Sequence, residues 1–358
     1  MKTKMKQTKR QKINRGKLLF FLLIPFLLNL LSTFNSHAQD IHFSQFNNSP
    51  LTLNPSLAGS FDGDLRVIAN FKDQWASISP YMTFALSGDM GFFKSRRNSS
   101  YLGAGISFFS DRAGTTQLSL NQFNFSLSYH VSLNENNMLS TGLQGGLGLR
   151  SINLNNNIKW DNQYNGTNYD PNIPSDEPLH SGSISYPDFA AGMQWSYGRR
   201  ERNAISGNNL KMDAGIAAYH LTTPNQSFYG NSTDKLPMRF VVHGGIYAGI
   251  INSKTSLAPS FEYMRQDRQK EFVIGLMLVN KMLQQSLYTR NEKSAYMSFG
   301  AYYRFGDAII PTFEIQKSDY AFGISYDVNV SKLSTVTTCR GGFEFTLRMI
   351  NSNIFKKR

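Results

Sequence analysis

Long runs of strictly alternating apolar and polar side chains constrain this chain more than any other feature. Phe123, Phe125, Leu127, Tyr129 and Val131 alternate with Asn124, Ser126, Ser128 and His130. Tyr320, Phe322, Ile324, Tyr326, Val328 and Val330 alternate with Ala321, Gly323, Ser325, Asp327 and Asn329. The same period recurs at Phe299–Phe305 and Phe343–Met349. Successive strand side chains point to opposite faces, so each run has one greasy and one small or polar face. The helical period is nearly absent after residue 39. A soluble sandwich also alternates, and length separates the two cases. Segments such as 117–131, 138–152 and 319–330 exceed the roughly 5–6 residues of a soluble strand and reach the roughly 9–11 that cross a bilayer.

The expectation is an all-β fold: a transmembrane antiparallel barrel of about fourteen strands. They fall at 65–75, 79–90, 101–112, 117–131, 138–152, 186–198, 212–222, 237–251, 255–267, 270–280, 294–306, 308–317, 319–330 and 340–350. An even number suits a bacterial barrel with both ends in the periplasm. With that orientation the long connections 153–185, 223–236 and 331–339 lie outside, and the short turns 132–137 and 252–254 lie inside. Connections 199–211 and 281–293 are long for periplasmic turns.

The first 38 residues read as a secretory leader. Lys2, Lys4, Lys6, Lys9, Arg10, Lys12, Arg15 and Lys17 precede an apolar stretch, Leu18 to Leu31. Ser36-His37-Ala38 then offers a small-x-small cleavage site before Gln39. The apolar stretch, broken by Pro25 and Asn29, falls short of the roughly 20 residues of a membrane helix. The domain reading is a leader over 1–38, a polar segment over 39–64 with Pro50 and Pro55, a barrel over 65–350 and a basic tail over 351–358. The 39–64 segment is either periplasmic or lumenal.

Charge and cysteine content narrow the class. The net charge of +13 suggests nucleic acid, but eight of those charges belong to the leader, leaving +5 over the rest. No basic stripe with interleaved aromatics follows, so nucleic acid is set aside. The single cysteine, Cys339, excludes an intrachain disulfide. The 27 Phe, 17 Tyr and 28 Gly suit membrane strands, with lipid as the surrounding partner.

No catalytic signature emerges, and the chain is read as a non-enzyme without cofactor or metal. His37, His42, His130, His180, His220 and His243 form no zinc-type pair. Asp161, Gln163, Asn165 and Gly166 faintly resemble a calcium loop, but Gln163 and Asn172 are the wrong ligands at their positions. The glycines at 103–105 and 142–148 lie in strand patterns, where glycine more often permits a bend or a close contact. Arg66, Arg112, Arg150, Glu262, Arg304, Glu314, Glu344 and Arg348 fall inside strands. They must face the lumen or sit near strand ends, because Arg facing lipid near the midplane costs roughly 2–4 kcal/mol.

Several segments together resemble the PorP/SprF membrane proteins of the type IX secretion system of Bacteroidetes. They are Gln39-Asp-Ile-His-Phe-Ser-Gln-Phe46, Pro50, Leu53-Asn-Pro55, Ala58-Gly59 and Phe71-Lys-Asp-Gln-Trp75. Further matches are Phe109-Ser-Asp-Arg-Ala-Gly114, His220-Leu-Thr-Thr-Pro224, Lys235-Leu-Pro-Met-Arg239 with His243, Gly323 to Leu333, and Gly341-Gly-Phe-Glu-Phe345. Ile41 stands where the family has Pro, and Lys72-Asp73 where it has Arg-Asn.

The resemblance implies a component of the cell outer membrane linked to the periplasmic ring lipoprotein of the secretion system. It also implies help in exporting or attaching a large surface adhesin or its C-terminal sorting domain, in the gliding-related branch. The partner surface is expected on Asp40, Phe43, Ser44, Gln45, Asn54 and Pro55, since polar groups interleaved with aromatics suit an extended docked peptide. The same residues would serve a plug folded back on strand edges. The alternative function is a passive channel for small solutes.

Overall fold

A computed structural model describes residues 40–74, 81–94, 100–114, 117–153, 159–176, 182–199, 209–229, 234–283, 295–331 and 340–351. The leader, the cleavage pair Ala38/Gln39, Trp75, His180, Cys339 and the tail from 352 lie outside the described residues.

Fourteen antiparallel strands close on themselves. They are β1 (Leu65–Gln74), β2 (Tyr81–Phe92), β3 (Ser100–Ala113), β4 (Leu118–Ser132), β5 (Asn137–Ser151), β6 (Ser183–Arg199) and β7 (Leu210–Tyr219). Then come β8 (Arg239–Gly249), β9 (Thr255–Gln266), β10 (Gln269–Leu283), β11 (Ala295–Arg304), β12 (Ala308–Lys317), β13 (Tyr320–Asn329) and β14 (Arg340–Asn351). Each strand pairs with its sequence neighbours. The ring shuts where β1 meets β14, from Leu65 opposite Asn351 to Gln74 opposite Gly342. Closure gives every strand two partners and removes the edges that lipid could not satisfy. Among the described residues no helix is long and apolar enough to cross a membrane.

Burial runs opposite to that of a soluble protein. Phe123, Leu127, Leu143 and Ile216 are more than half exposed, while Gln122, Ser126, His130 and Ser140 are buried. An apolar outer band over a polar interior is what a lipid solvent selects. Seven of the eight strand charges singled out in the sequence fall on the inward-facing register. Arg112 is exposed and faces outward one residue from the end of β3, so it escapes the midplane cost.

The barrel has two unlike ends. The turn end carries the start of β1, the end of β14 and the connections 133–136, 250–254 and 318–319. The loop end carries the long connections after β5 and β7. Residues 40–64 run between them through the lumen as an irregular thread. It contains a 3-10 turn at Phe46–Asn48, one helical turn at Pro50–Leu53 and a second 3-10 turn at Pro55–Leu57. Both prolines open a turn, where their missing N–H costs nothing.

Candidate functional site

The thread begins at the loop end, because all of Asp40's partners are there. Its N–H donates to Gln266 at the end of β9 (2.9 Å). Its carboxylate meets Arg239 at the start of β8 and His220 just after β7, each at 2.9 Å. His220 has φ +56°, a left-handed backbone uncommon outside glycine, and this turns its ring inward between two carboxylates. Nδ1 lies 2.9 Å from Asp188 and Nε2 2.9 Å from Asp40. Burial opposes the imidazolium, but bonding to Asp188 and Asp40 wins and raises its pKa to about 9. Burial would likewise raise Asp40, yet Arg239 and His220 hold it well below the carboxylate range. Arg239 also donates to the carbonyls of Ile41 (3.1 Å) and Thr52 (3.3 Å) and stacks over Tyr219.

Next along the thread, one carboxylate takes two consecutive amides. The N–H groups of Ser44 and Gln45 donate to the two oxygens of Glu344, at 2.7 and 2.8 Å. Ser44 Oγ donates to Asp327 (2.8 Å) and accepts from Arg304 (2.7 Å). Arg304 also pairs with Asp327 and Asp307 and lies near Glu271, while the buried Lys72 ammonium reaches the His42 carbonyl. Burial, then Lys72 and Arg304, push His42 well below its ordinary pKa beside Glu271. Phe43 packs with Ala85 and Phe109, and Phe46 meets Tyr302 edge-on at 5.5 Å. Asn48 donates to Glu314 and accepts from Arg348.

Towards the turn end the grip changes to backbone. Asn54 Nδ2 reaches the carbonyls of Met193 and Ile216 and the ring of His243, and its Oδ1 caps Ser56. The Ala58 carbonyl accepts from Ser128 Oγ (2.6 Å) and lies 2.8 Å from His130 Nε2; the Gly59 amide donates to Asp89 (2.7 Å). The thread lies so close to β3 and β5 that only glycine fits there. A Cβ on Gly142 would sit 2.5 Å from the Pro55 carbonyl carbon, and one on Gly103 2.8 Å from that of Ala58.

All six residues singled out in the sequence therefore sit inside the barrel. Phe43, Ser44, Gln45, Asn54 and Pro55 are buried, and the Asp40 side chain nearly so. In this arrangement a partner reaches them only if the thread leaves the lumen. Their wall partners Glu344, Asp327, Arg239, His220 and Gly323 come from the other segments that carry the family resemblance, and Lys72 of another such segment holds the neighbouring His42 carbonyl, so those scattered motifs converge on one set of contacts. Asp188, Asp89 and Glu271 lie outside those motifs, and only an inward-facing charge in a strand pattern could have flagged them.

His130 is bound to Ser140, Ser128 and the Ala58 carbonyl, a clamp on the thread. Among the described residues no group of His, Cys, Asp or Glu is placed to hold a metal. In the 159–176 loop, Gln163 donates to Ile173, and Asn165 accepts from Thr167 and Asn168, so these oxygens and amides brace the loop itself.

A sequence profile described as "Type IX secretion system membrane protein PorP/SprF" matches residues 35–349. No curated protein matches the sequence. Similar solved structures include BamA from Haemophilus ducreyi lacking POTRA domains 1–3, at 11% identity and TM-score 0.40, covering 80% of this chain and 70% of that one. The translocator domain of the autotransporter NalP from Neisseria meningitidis aligns at 9% identity and TM-score 0.33, over 80% of this chain and 87% of its own. The toluene transporter TodX from P. putida aligns at 10% identity and TM-score 0.39, over 84% and 91%.

Proposed function

Because this chain belongs to the PorP/SprF family of type IX secretion system membrane proteins and is an outer-membrane β-barrel, we propose that it is a non-catalytic scaffold of that machine. It ties the periplasmic ring to the outer membrane and assists export or surface attachment of a large adhesin-like partner. Removal of the leader after Ala38 belongs to the same proposal.

The observation that carries it is the character of the turn end, taken as the periplasmic face. Phe93, Leu133 and Ile251 each stand beyond a strand end there, at 74%, 59% and 65% exposure. Phe93 has φ +62°, a conformation costly for a bulky residue, and its side chain is largely exposed. Large apolar side chains on an exposed rim mark a surface that a protein partner covers. The filled lumen counts against a passive channel.

The test is a mild-detergent pull-down of the tagged protein from native membranes, with partners identified by mass spectrometry. Wild type should recover ring lipoproteins or a large adhesin. F93S/L133S/I251S should lose the ring while keeping the folded barrel's heat-modifiable gel mobility. Undiminished recovery by the triple variant would overturn the assignment of the contact. Recovery of neither partner class by wild type would overturn the scaffold reading.

A further inference from the structure

The loop-end half of the thread, residues 40–48, occupies a slot whose wall has the parts of a peptide-binding site. Glu344 chelates two successive backbone amides, which recognises a chain rather than a side chain. Arg239 and His220 take a carboxylate, Asp327 takes a hydroxyl, and Ser325 accepts from the Gln45 amide. Phe43 and Phe46 each fill an apolar recess in the wall. None of these nine residues joins a β-ladder; the backbone bonds of residues 45–49 are local turns such as Asn48 N to Gln45 O. The wall therefore holds this segment with its side chains, which meet both backbone and side-chain groups of the thread, and a second peptide of the same chemistry could reproduce those contacts.

Position adds the second observation. At the turn end a cavity of about 400 Å³ opens between the thread and the wall of β1, β12 and β14. It is lined by Phe61, Asp62, Arg66, Gln316 and Arg348, and Asn47 is among the residues that bound it. The 54–59 half lies on the other side of the lumen, packed against β4, β5 and β6. Residues 40–46 of the thread lie between this cavity and the loop-end contacts of Asp40.

We infer that residues 40–48 are an exchangeable stopper, and that the slot they fill is a binding site for an extended peptide. Its ligand carries a carboxylate, an aromatic three residues on, then a hydroxyl, an amide and a second aromatic. Departure of the stopper joins the turn-end cavity to the loop end, while residues 54–59 stay fixed. The inference is independent of the ring contact proposed above.

Planar-bilayer recording of the full-length D40A/F43A/F46A variant tests it, with heat-modifiable mobility confirming the fold. The variant should show conductance steps that wild type lacks. A synthetic peptide of residues 40–48 should close them saturably, and a scrambled peptide should not. Adding Arg239→Ala should weaken the block by roughly a hundred- to a few-thousandfold, the usual consequence of removing one partner of a buried ion pair. A folded but silent variant would show that the lumen is closed by something else. Conductance indifferent to the peptide, or blocked equally by the scramble, would remove the binding site. If the variant does not fold, the fluorescent peptide is offered to wild type. Saturable uptake that Arg239→Ala abolishes then supports exchange, and no uptake overturns it.

Discussion

Residues 40–48 meet the barrel wall mostly through side chains and fixed charges, whereas residues 54–59 meet it through the neutral Asn54 side chain and through backbone atoms laid against glycine. At the loop end Asp40, Ser44 and Gln45 are matched to Arg239, His220, Asp327 and Glu344. At the turn end the carbonyl of Ala58 and the amide of Gly59 are taken up, and Gly103 and Gly142 leave room for them. The first kind of grip is worth roughly 1.5–3 kcal/mol per charged hydrogen bond and can be remade by another peptide. The second depends on close packing, which tolerates neither a methyl group nor a shift. One end of the thread is thus specified by chemistry and the other by shape.

The sharpest way to break that division is Arg304→Ala. It would leave Asp327 and Glu271 buried with less counter-charge and Ser44 without a donor, at about 3–5 kcal/mol in urea unfolding. Hydrogen exchange should rise at residues 40–48 and not at 54–59, with partial recovery when Asp327→Asn is added. A rise of equal size in both halves would end the distinction. Gly142→Val is the mirror experiment. It should cost about 1–3 kcal/mol by overpacking and loosen 54–59 while 40–48 stays protected.

Raising the pH should act more weakly, and only on the first residues. His220 is raised, so its contribution is complete below about 6.5 and is lost as the pH climbs through about 9. Asp40 is lowered, so its contribution holds above its ordinary value and is lost only in strong acid. Exchange at Ile41 and His42, corrected for intrinsic rate, should therefore increase near pH 9 in wild type and show no such step in His220→Asn. The smallest change expected is Asn47→Ala. Asn47 is exposed and makes neutral bonds to Ser260 and Tyr302, so about 0.5–1.5 kcal/mol is the ceiling in the same unfolding assay.

Much of the barrel was legible because its rule is local. In a strand of period two, Phe123 and Asn124 face opposite ways whatever lies elsewhere in the chain. All fourteen expected strands are present, with ends displaced by no more than a few residues. The largest differences, three residues each, fall at β6, which starts at Ser183, at β10, which runs on to Leu283, and at β7, which stops at Tyr219 where His220 takes its left-handed turn. The site was legible only as a set of residues. Asp40, Phe43, Ser44, Gln45, Asn54 and Pro55 could be chosen as a polar and aromatic segment awaiting a partner. Nothing local shows that the partner is the inside of the same barrel, since Ser44 and Glu344 are 300 positions apart.

The sequence by itself determined the alternation, the strand number and the inward direction of seven of the eight strand charges it singled out. These follow from the pleat and from the cost of placing charge in lipid, which act residue by residue. Only the tertiary structure decided where the thread runs, which end of it reaches the loop face, that Asp188 and His220 join Asp40 in one buried cluster, and that Lys72 and Glu271 join Asp327 and Arg304 in another. Those outcomes depend on barrel closure, which brings β1 against β14 and encloses a lumen that no stretch of the chain can form alone.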